Sequence, residues 1–195
     1  MNNRILGTIA AICAPALFVE GLISMNADEP GNVTVGIASF VFMLGWICTN
    51  LAMQQMQATG TGLWGKIVLR IQLVGLVLAM LFGVIEATSL LPDDNLIFVI
   101  TDMAWPLSMV FMIVVGIMTL RANRWAGWQR FMPLICAGWL PVALLIGMNA
   151  ESNPILATAS MVIGFGWTAV CWFMLALIVR SNATLATPTP VPSAG

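Results

Sequence analysis

Three carboxylates stand inside long apolar stretches of this 195-residue chain, where acidic side chains are rare. They are Glu20, Glu86 and Asp102. Each lies about eight residues from the middle of a polar turn, which is about 12 Å along a helix. A buried carboxyl with no cation beside it becomes protonated, holds a proton or metal cation, or stands in water. The spacing therefore predicts a proton or cation site at one common depth.

A proline one helical turn beyond Asp102 supports this interpretation. Pro106 has no N–H to donate to the residue four positions earlier, so Asp102 should present a free carbonyl oxygen as well as its carboxylate. Glu86 and Asp102 flank one short turn, which predicts that their helices are neighbours. The alternative is that the carboxyls are neutral and bonded to nearby polar groups, for which the candidates are Ser24, Thr88, Asn149, Trp105 and Trp139.

The four cysteines form a second candidate cluster, in the opposite half of the predicted helices. If each lies about 12 Å from that helix end, the thiols form a ring that suits a soft ion such as Cu(I). No C-x-x-C spacing marks a metal site, and buried cysteine is commonly a small apolar side chain. The competing interpretation is simple packing. The residues are Cys13, Cys48, Cys136 and Cys171.

Tryptophans recur at similar positions in three predicted helices. Trp46, Trp105 and Trp167 each follow Gly or Ala, and Trp139 lies in a fourth helix. They predict an aromatic-walled cavity for an organic cation or lipid-like ligand. Close packing of indoles against small residues is the alternative.

Several functions are excluded by what the sequence lacks. The chain has no histidine, which excludes histidine-ligated haem, His-ligated zinc hydrolysis and Ser-His-Asp catalysis. Lys66 is the only lysine and sits at a helix edge, which argues against a retinal-type Schiff base deep in the membrane. A net charge of −1 gives no basic face for nucleic acid. No cofactor is predicted, and an enzyme would have only the carboxylates as catalytic bases.

Composition places the chain in the bilayer. Hydrophobic residues make up 60% and charged residues 8%, against about a quarter charged in soluble domains. A hydrocarbon core of about 30 Å needs about 20 helical residues. The sequence therefore predicts an all-α integral membrane protein with six transmembrane helices, near 5–25, 33–56, 67–91, 96–120, 131–148 and 155–179.

The chain also resembles itself. Residues 12–27 and 135–150 are identical at ten of 16 positions, where apolar composition alone gives about two. Residues 38–46 and 159–167 share five of nine. Glu86 precedes Asp94 by eight residues, as Glu20 precedes Asp28. These matches predict three parallel helical-hairpin repeats, over about 5–56, 67–120 and 131–179, within one domain at 1–180.

Charge sets the predicted orientation. All the basic residues fall on one side of alternating spans, and Asp28, Glu29, Asp93, Asp94 and Glu151 fall on the other. The positive-inside rule then places both termini in the cytoplasm of a cell membrane. The first span should be retained rather than cleaved as a leader, because it carries Pro15 and Glu20. Residues 181–195, rich in Pro and Thr, are predicted to be a disordered cytoplasmic tail.

Two classes of function fit these observations. One is a small transporter or channel-like protein with a proton or cation site in the outer leaflet. The other is a non-catalytic membrane scaffold or accessory subunit whose polar residues satisfy one another. The two differ in whether the three acids share one water-accessible cavity. The lipid bilayer and a small cation or proton are the predicted partners, and the oligomeric state stays open.

Overall fold

A computed structural model describes residues 2–24, 33–92, 94–147 and 154–182, and these residues contain helices and turns but no strand. Local sequence explains several helix ends. The Asn2 and Asn95 side chains accept hydrogen bonds from the backbone N–H of Arg4 and Ile97, as N-caps do. The helices are α1 (Asn3–Cys13), α2 (Ala16–Ser24), α3 (Val33–Gln55), α4 (Leu63–Thr88), α5 (Leu96–Ala122), a 3-10 helix (Gly127–Phe131), α6 (Met132–Ala137), α7 (Trp139–Gly147) and α8 (Pro154–Asn182).

These helices form six segments long and apolar enough to cross a membrane, as the sequence predicts. The first segment is α1 with α2, and the fifth is the 3-10 helix with α6 and α7; α3, α4, α5 and α8 are the others. Each segment packs against the one before it and the one after it. Helix α8 also packs against α1 and α2, which closes the six segments into a ring.

The outer surface of the ring is apolar. Leu107 is 66% exposed, Val74 61% and Val170 59%, although all three lie in the middle of long helices. A soluble protein seldom exposes such a continuous apolar surface. A packed core with an apolar outer face is compatible with a multi-pass membrane protein.

The first and fifth segments are broken at matching places. The turn at Ala14 and Pro15 separates α1 from α2, and Gly138 separates α6 from α7. In the internal alignment Pro15 corresponds to Gly138. Pro15 cannot donate to the carbonyl of Ala11, and Pro141 cannot donate to that of Ala137, so each break has a local cause.

One hydrogen bond is also matched between the two hairpins. The Ser39 hydroxyl donates to Glu20, and the Ser160 hydroxyl donates to the backbone carbonyl of Ala143. The alignment pairs Ser39 with Ser160 and Glu20 with Ala143. Helix α4, in the middle hairpin, has no matching break. The first and third hairpins thus share some local features, and the repeat of the hairpins stays a prediction.

All seven basic side chains lie at one end of the ring. Three contacts join the elements there: a Cβ on Gly60 would lie 3.5 Å from Ala122, a Cβ on Gly7 would lie 2.8 Å from Arg180, and Asn182 donates to Gln129. This end is called the basic end below. Its residues are Arg4, Lys66, Arg70, Arg121, Arg124, Arg130 and Arg180.

The described acids lie toward the other end, on α2, on α4, on α5 and in the turn before α5. Four other acids were predicted to lie on that side but fall outside the described residues: Asp28, Glu29, Asp93 and Glu151. The tail from 183 onward is also outside the described residues. The tail was predicted to begin at 181, whereas α8 continues through Asn182. Ser181 bonds the carbonyl of Ile178, which continues the helical turn.

Candidate functional site

A cavity of about 230 Å³ lies within the ring, with walls from five of the six segments. Such a volume has room for several water molecules. Two of its lining side chains are the carboxyls of Glu20 and Asp102, from α2 and α5. This cavity is called the acidic cavity below. Its lining residues are Leu17, Glu20, Ser39, Met43, Ala79, Phe82, Asp102, Trp105 and Phe165.

Glu20 is held by its neighbours on α3 and α8. The Ser39 hydroxyl donates to Glu20 Oε2 over 2.7 Å. Gly21, the next residue on α2, lets that helix approach α8 so closely that a Cβ there would overlap the ring of Phe165. The packing of α2 on Phe165 and the bond from Ser39 together place the Glu20 carboxyl at the cavity wall.

Asp102 lies on a helix with unsatisfied polar groups. Pro106 lies inside α5, so the Asp102 carbonyl receives no helical N–H from it. The indole nitrogen of Trp105 is buried and has no hydrogen-bond partner among the described residues. A buried polar group without a partner costs about 1–3 kcal/mol. Asp102 and Trp105 both line the acidic cavity, so these groups lie close to the space that water or a ligand would occupy.

Glu86 lies near the other two acids but does not line the acidic cavity. It is half-buried in the last turn of α4, in the neighbourhood of Asp102 and Glu20. The three acids therefore form one electrostatic group, with Glu86 beside the cavity. This group is called the carboxyl cluster.

The prediction of one common depth for the three acids needs correction. Helix α4 ends at Thr88, only two residues after Glu86, while Asp102 lies six residues into α5. The left-handed backbone of Ser89, with φ 47°, stops α4 there. Glu86 is consequently closer to the end of its helix than an eight-residue spacing implied.

No basic side chain accompanies the carboxyl cluster, because every Lys and Arg of the chain lies in an element at the basic end. Within the described ranges, no three Cys, Asp or Glu side chains converge closely enough to hold a metal ion. A closed cage of carboxylates is therefore not preformed. The chemistry that remains is proton binding, or binding of a cation that keeps part of its water shell.

The hydrogen-bond partners differ from those that the sequence suggested. Thr88 donates to the carbonyl of Val84 in its own helix, and the Trp139 indole donates to Met109 Sδ over 3.3 Å. The hydrogen-bond donor to Glu20 is Ser39, which was not among the candidates that the sequence suggested. Asn149 lies outside the described residues.

The four predicted cavity tryptophans lie in different surroundings. Trp105 lines the acidic cavity, and Trp139 packs on it with ring centres 5.8 Å apart. Trp46 is 1% exposed and packs in the core, with its ring centre 4.8 Å from that of Trp172. Trp167 is 36% exposed and donates to the carbonyl of Ile135. Only Trp105 and Trp139 are thus brought together beside the acids.

The four cysteines are buried free thiols that associate as two pairs. Cys13 lies near Cys48, and Cys136 lies near Cys171. Each pair joins the two helices of one hairpin. In the described part of the chain these thiols belong to no group of three or more metal-ligating side chains. This arrangement gives a soft-metal ring no structural support, because such a ring needs three or four thiols around one point.

A group of amide side chains on α3 and α4 was not identified from the sequence. Gln54 donates to Asn50 over 2.7 Å and to the carbonyl of Leu69 over 3.2 Å. Gln72 is 1% exposed and donates to the carbonyl of Ser108. Amide side chains inside apolar spans are visible in the sequence. Their spacing at positions 50 and 54 on one helix face was the signal that could have found them.

Comparison with known proteins gives no assignment. The chain matches no protein-family model, no curated protein and no solved structure. Function has to be inferred from the acidic cavity and from the distribution of charge around the ring.

Proposed function

We propose that this protein is a small multi-pass membrane transporter or channel-like protein, with both termini in the cytoplasm and a proton or cation site in the outer leaflet. One observation carries the proposal: Glu20 and Asp102 share a cavity inside the ring, and no basic side chain lies beside them. Intramembrane acids that face a bundle interior usually mark ion or proton pathways.

The arrangement of the carboxyl cluster suggests a direction of movement. Glu86 lies closer to its helix end and would receive a proton or cation from the outside before Glu20 and Asp102. Deeper along α3, the buried rings of Phe42, Trp46 and Trp172 pack together and would close the inner side. Release inward would then need the helices to move, as alternating access requires.

The two helix breaks are suited to such movement. The break at Ala14 and Pro15 lies just before Leu17, a lining residue of the acidic cavity, and the break at Gly138 lies beside Trp139. Hinges are commonly a few residues at element ends. A rotation at the first break would move the Glu20 carboxyl relative to Ser39.

A membrane scaffold or accessory subunit is the second candidate. The bonds from Ser39 to Glu20 and from Gln54 to Asn50 favour it, because they satisfy polar groups within the protein. The unpartnered Trp105 indole and the water-sized space beside it favour transport. An enzyme ranks third, since the acids are the only candidate bases.

The proposed orientation is tested with topology reporters. A reporter inserted at Gly60 or fused after Gly195 should give a cytoplasmic signal, and one inserted at Asn95 should give an external signal, because Lys66 and Arg121 adjoin the inner turns. Alkaline phosphatase and fluorescent-protein fusions measure the two outcomes. A cytoplasmic signal at Asn95 would refute the six-span orientation.

Infrared spectroscopy tests whether the carboxyl cluster holds a proton or cation. We expect the detergent-solubilised protein at neutral pH to show the carbonyl band of a protonated carboxyl, or a carboxylate band that shifts when one cation is added. The reason is that three acids without a base crowd a poorly solvated site. The signal should be lost in Glu20→Gln or Asp102→Asn.

Asp94→Asn is the matched control, because it removes an exposed acid from the turn before α5. The control should keep the signal. A spectrum with no protonated carboxyl and no response to H⁺, Na⁺, K⁺ or Mg²⁺ would contradict a proton or cation site and favour the scaffold.

A further inference from the structure

A groove of about 590 Å³ lies at the basic end, on the outer face of the ring. It is bounded by the start of α1, the 3-10 helix and the last three turns of α8. This groove is separate from the acidic cavity, with which it shares no lining residue. Its lining residues are Arg4, Trp128, Gln129, Met174, Leu177, Ile178, Arg180 and Ser181.

Two guanidinium groups line the groove without an acidic neighbour. A Cβ on Gly7 would stand 2.8 Å from the Cβ of Arg180, so α1 and α8 touch at this level. Arg4 lies one helical turn before Gly7 and is therefore close to the same place. Both arginines are exposed, and none of the described residues that line the groove is acidic. Their combined charge favours an anion.

The rest of the groove is apolar and extends along α8 away from the arginines. Met174 is 41% exposed and lies six residues, or about 9 Å, before Arg180. Leu177 is 39% exposed beside it, and Trp128, 56% exposed, stands at the rim. Tryptophan prefers the interface between headgroups and acyl chains. The groove thus combines a cationic rim with an apolar wall that leads toward the membrane interior.

We propose that this groove binds an anionic phospholipid of the cytoplasmic leaflet. Its phosphate lies between Arg4 and Arg180, and one acyl chain lies along Met174 and Leu177. Arginine pairs with phosphate through two parallel N–H bonds, and basic pockets at the inner side of membrane helices bind acidic headgroups. The site depends on the proposed membrane orientation but not on the acidic cavity, so either can fail alone.

The test is lipid binding to the purified full-length protein, measured by native mass spectrometry and by thermal midpoint. Phosphatidylglycerol should bind and raise the midpoint, and phosphatidylcholine should not. Arg4→Gln with Arg180→Gln should weaken phosphatidylglycerol binding about 30-fold, at about 1 kcal/mol for each arginine. Each single variant should weaken it about fivefold, which keeps the test available if the double variant does not fold.

Arg121→Gln with Arg124→Gln is the matched control, because it removes two exposed arginines of the basic end that do not line the groove. It should bind phosphatidylglycerol as the wild type does. Equal loss in this control would make the effect one of overall charge and refute a defined site. Equal binding of phosphatidylcholine, or the same stabilisation by inorganic phosphate alone, would also overturn the proposal.

Discussion

Replacing Trp46 with alanine should lower the free energy of unfolding by about 3 kcal/mol. The Trp46 side chain is 1% exposed, and it packs edge-on against Trp172 and at an angle to Phe42. Loss of the indole would leave a void in contact with both rings. The rigid helices around it cannot close that void completely, so the lost van der Waals contacts are not replaced.

The expected value lies at the lower end of the 3–5 kcal/mol found for such substitutions in water-soluble cores. In a membrane the unfolded helices stay in an apolar surrounding, so transfer of the indole out of the core costs less. The remaining penalty is the packing term. Unfolding in mixed detergents, followed by circular dichroism, measures the free energy.

Two other tryptophans act as controls for Trp46. Trp64 is 72% exposed at the start of α4, and Trp64→Ala should change the free energy of unfolding by less than about 0.5 kcal/mol. Trp167 aligns with Trp46 in the internal sequence comparison but is 36% exposed, so the effect of Trp167→Ala should fall between the two. Equal destabilisation by Trp46→Ala and Trp167→Ala would contradict the different packing of the two positions.

The six apolar segments were predictable because length and hydropathy alone define them. The ends of these segments were less predictable. Helix α4 ends where Ser89 adopts a left-handed conformation, and this conformation has no strong signature in Thr88-Ser89-Leu90. An error of three residues there changed the inferred depth of Glu86. The breaks were not predicted, although Pro15 and Pro141 were the signals for them, since proline removes a specific helical hydrogen bond.

The carboxyl cluster was predictable in its members but not in its surroundings. Glu20, Glu86 and Asp102 are conspicuous because acids are rare in apolar spans. Phe165 comes from α8, which is distant along the chain, and only the closure of the ring brings it beside Glu20. Sequence spacing reports neighbours within one helix or hairpin, and contacts across the ring depend on packing angles that it does not specify.

The internal sequence similarity also shows what sequence identity leaves undetermined. Trp46 and Trp167 are aligned, yet one is buried against Trp172 and the other faces outward. Position 172 corresponds to Leu51 in the first hairpin, so the aromatic partner exists on one side only. Two hairpins of similar sequence can thus share local bends and still differ in their contacts.

Reconstituted vesicles should show an ion flux that depends on the acids of the cavity. With an imposed gradient of the cation identified by binding, or of protons, Glu20→Gln and Asp102→Asn should each reduce the flux at least about tenfold, equivalent to about 1.4 kcal/mol on the barrier. Both substitutions replace a titratable carboxyl in the acidic cavity by an amide of nearly the same shape. A fluorescent indicator inside the vesicles measures the flux.

Glu86→Gln separates a role at the mouth from a role in the cavity. Glu86 does not line the cavity, so its loss should slow the flux by less than Glu20→Gln does and shift its dependence on external pH. Asp94→Asn should leave the flux unchanged, since this acid is exposed in the turn. Each variant must keep the wild-type helical content and thermal midpoint for the comparison to hold.

If the folded triple variant, with Glu20, Glu86 and Asp102 all replaced by amides, transports as fast as the wild type, the carboxyl cluster is not an ion pathway. Its polar groups would then serve only to join the helices, as in a scaffold.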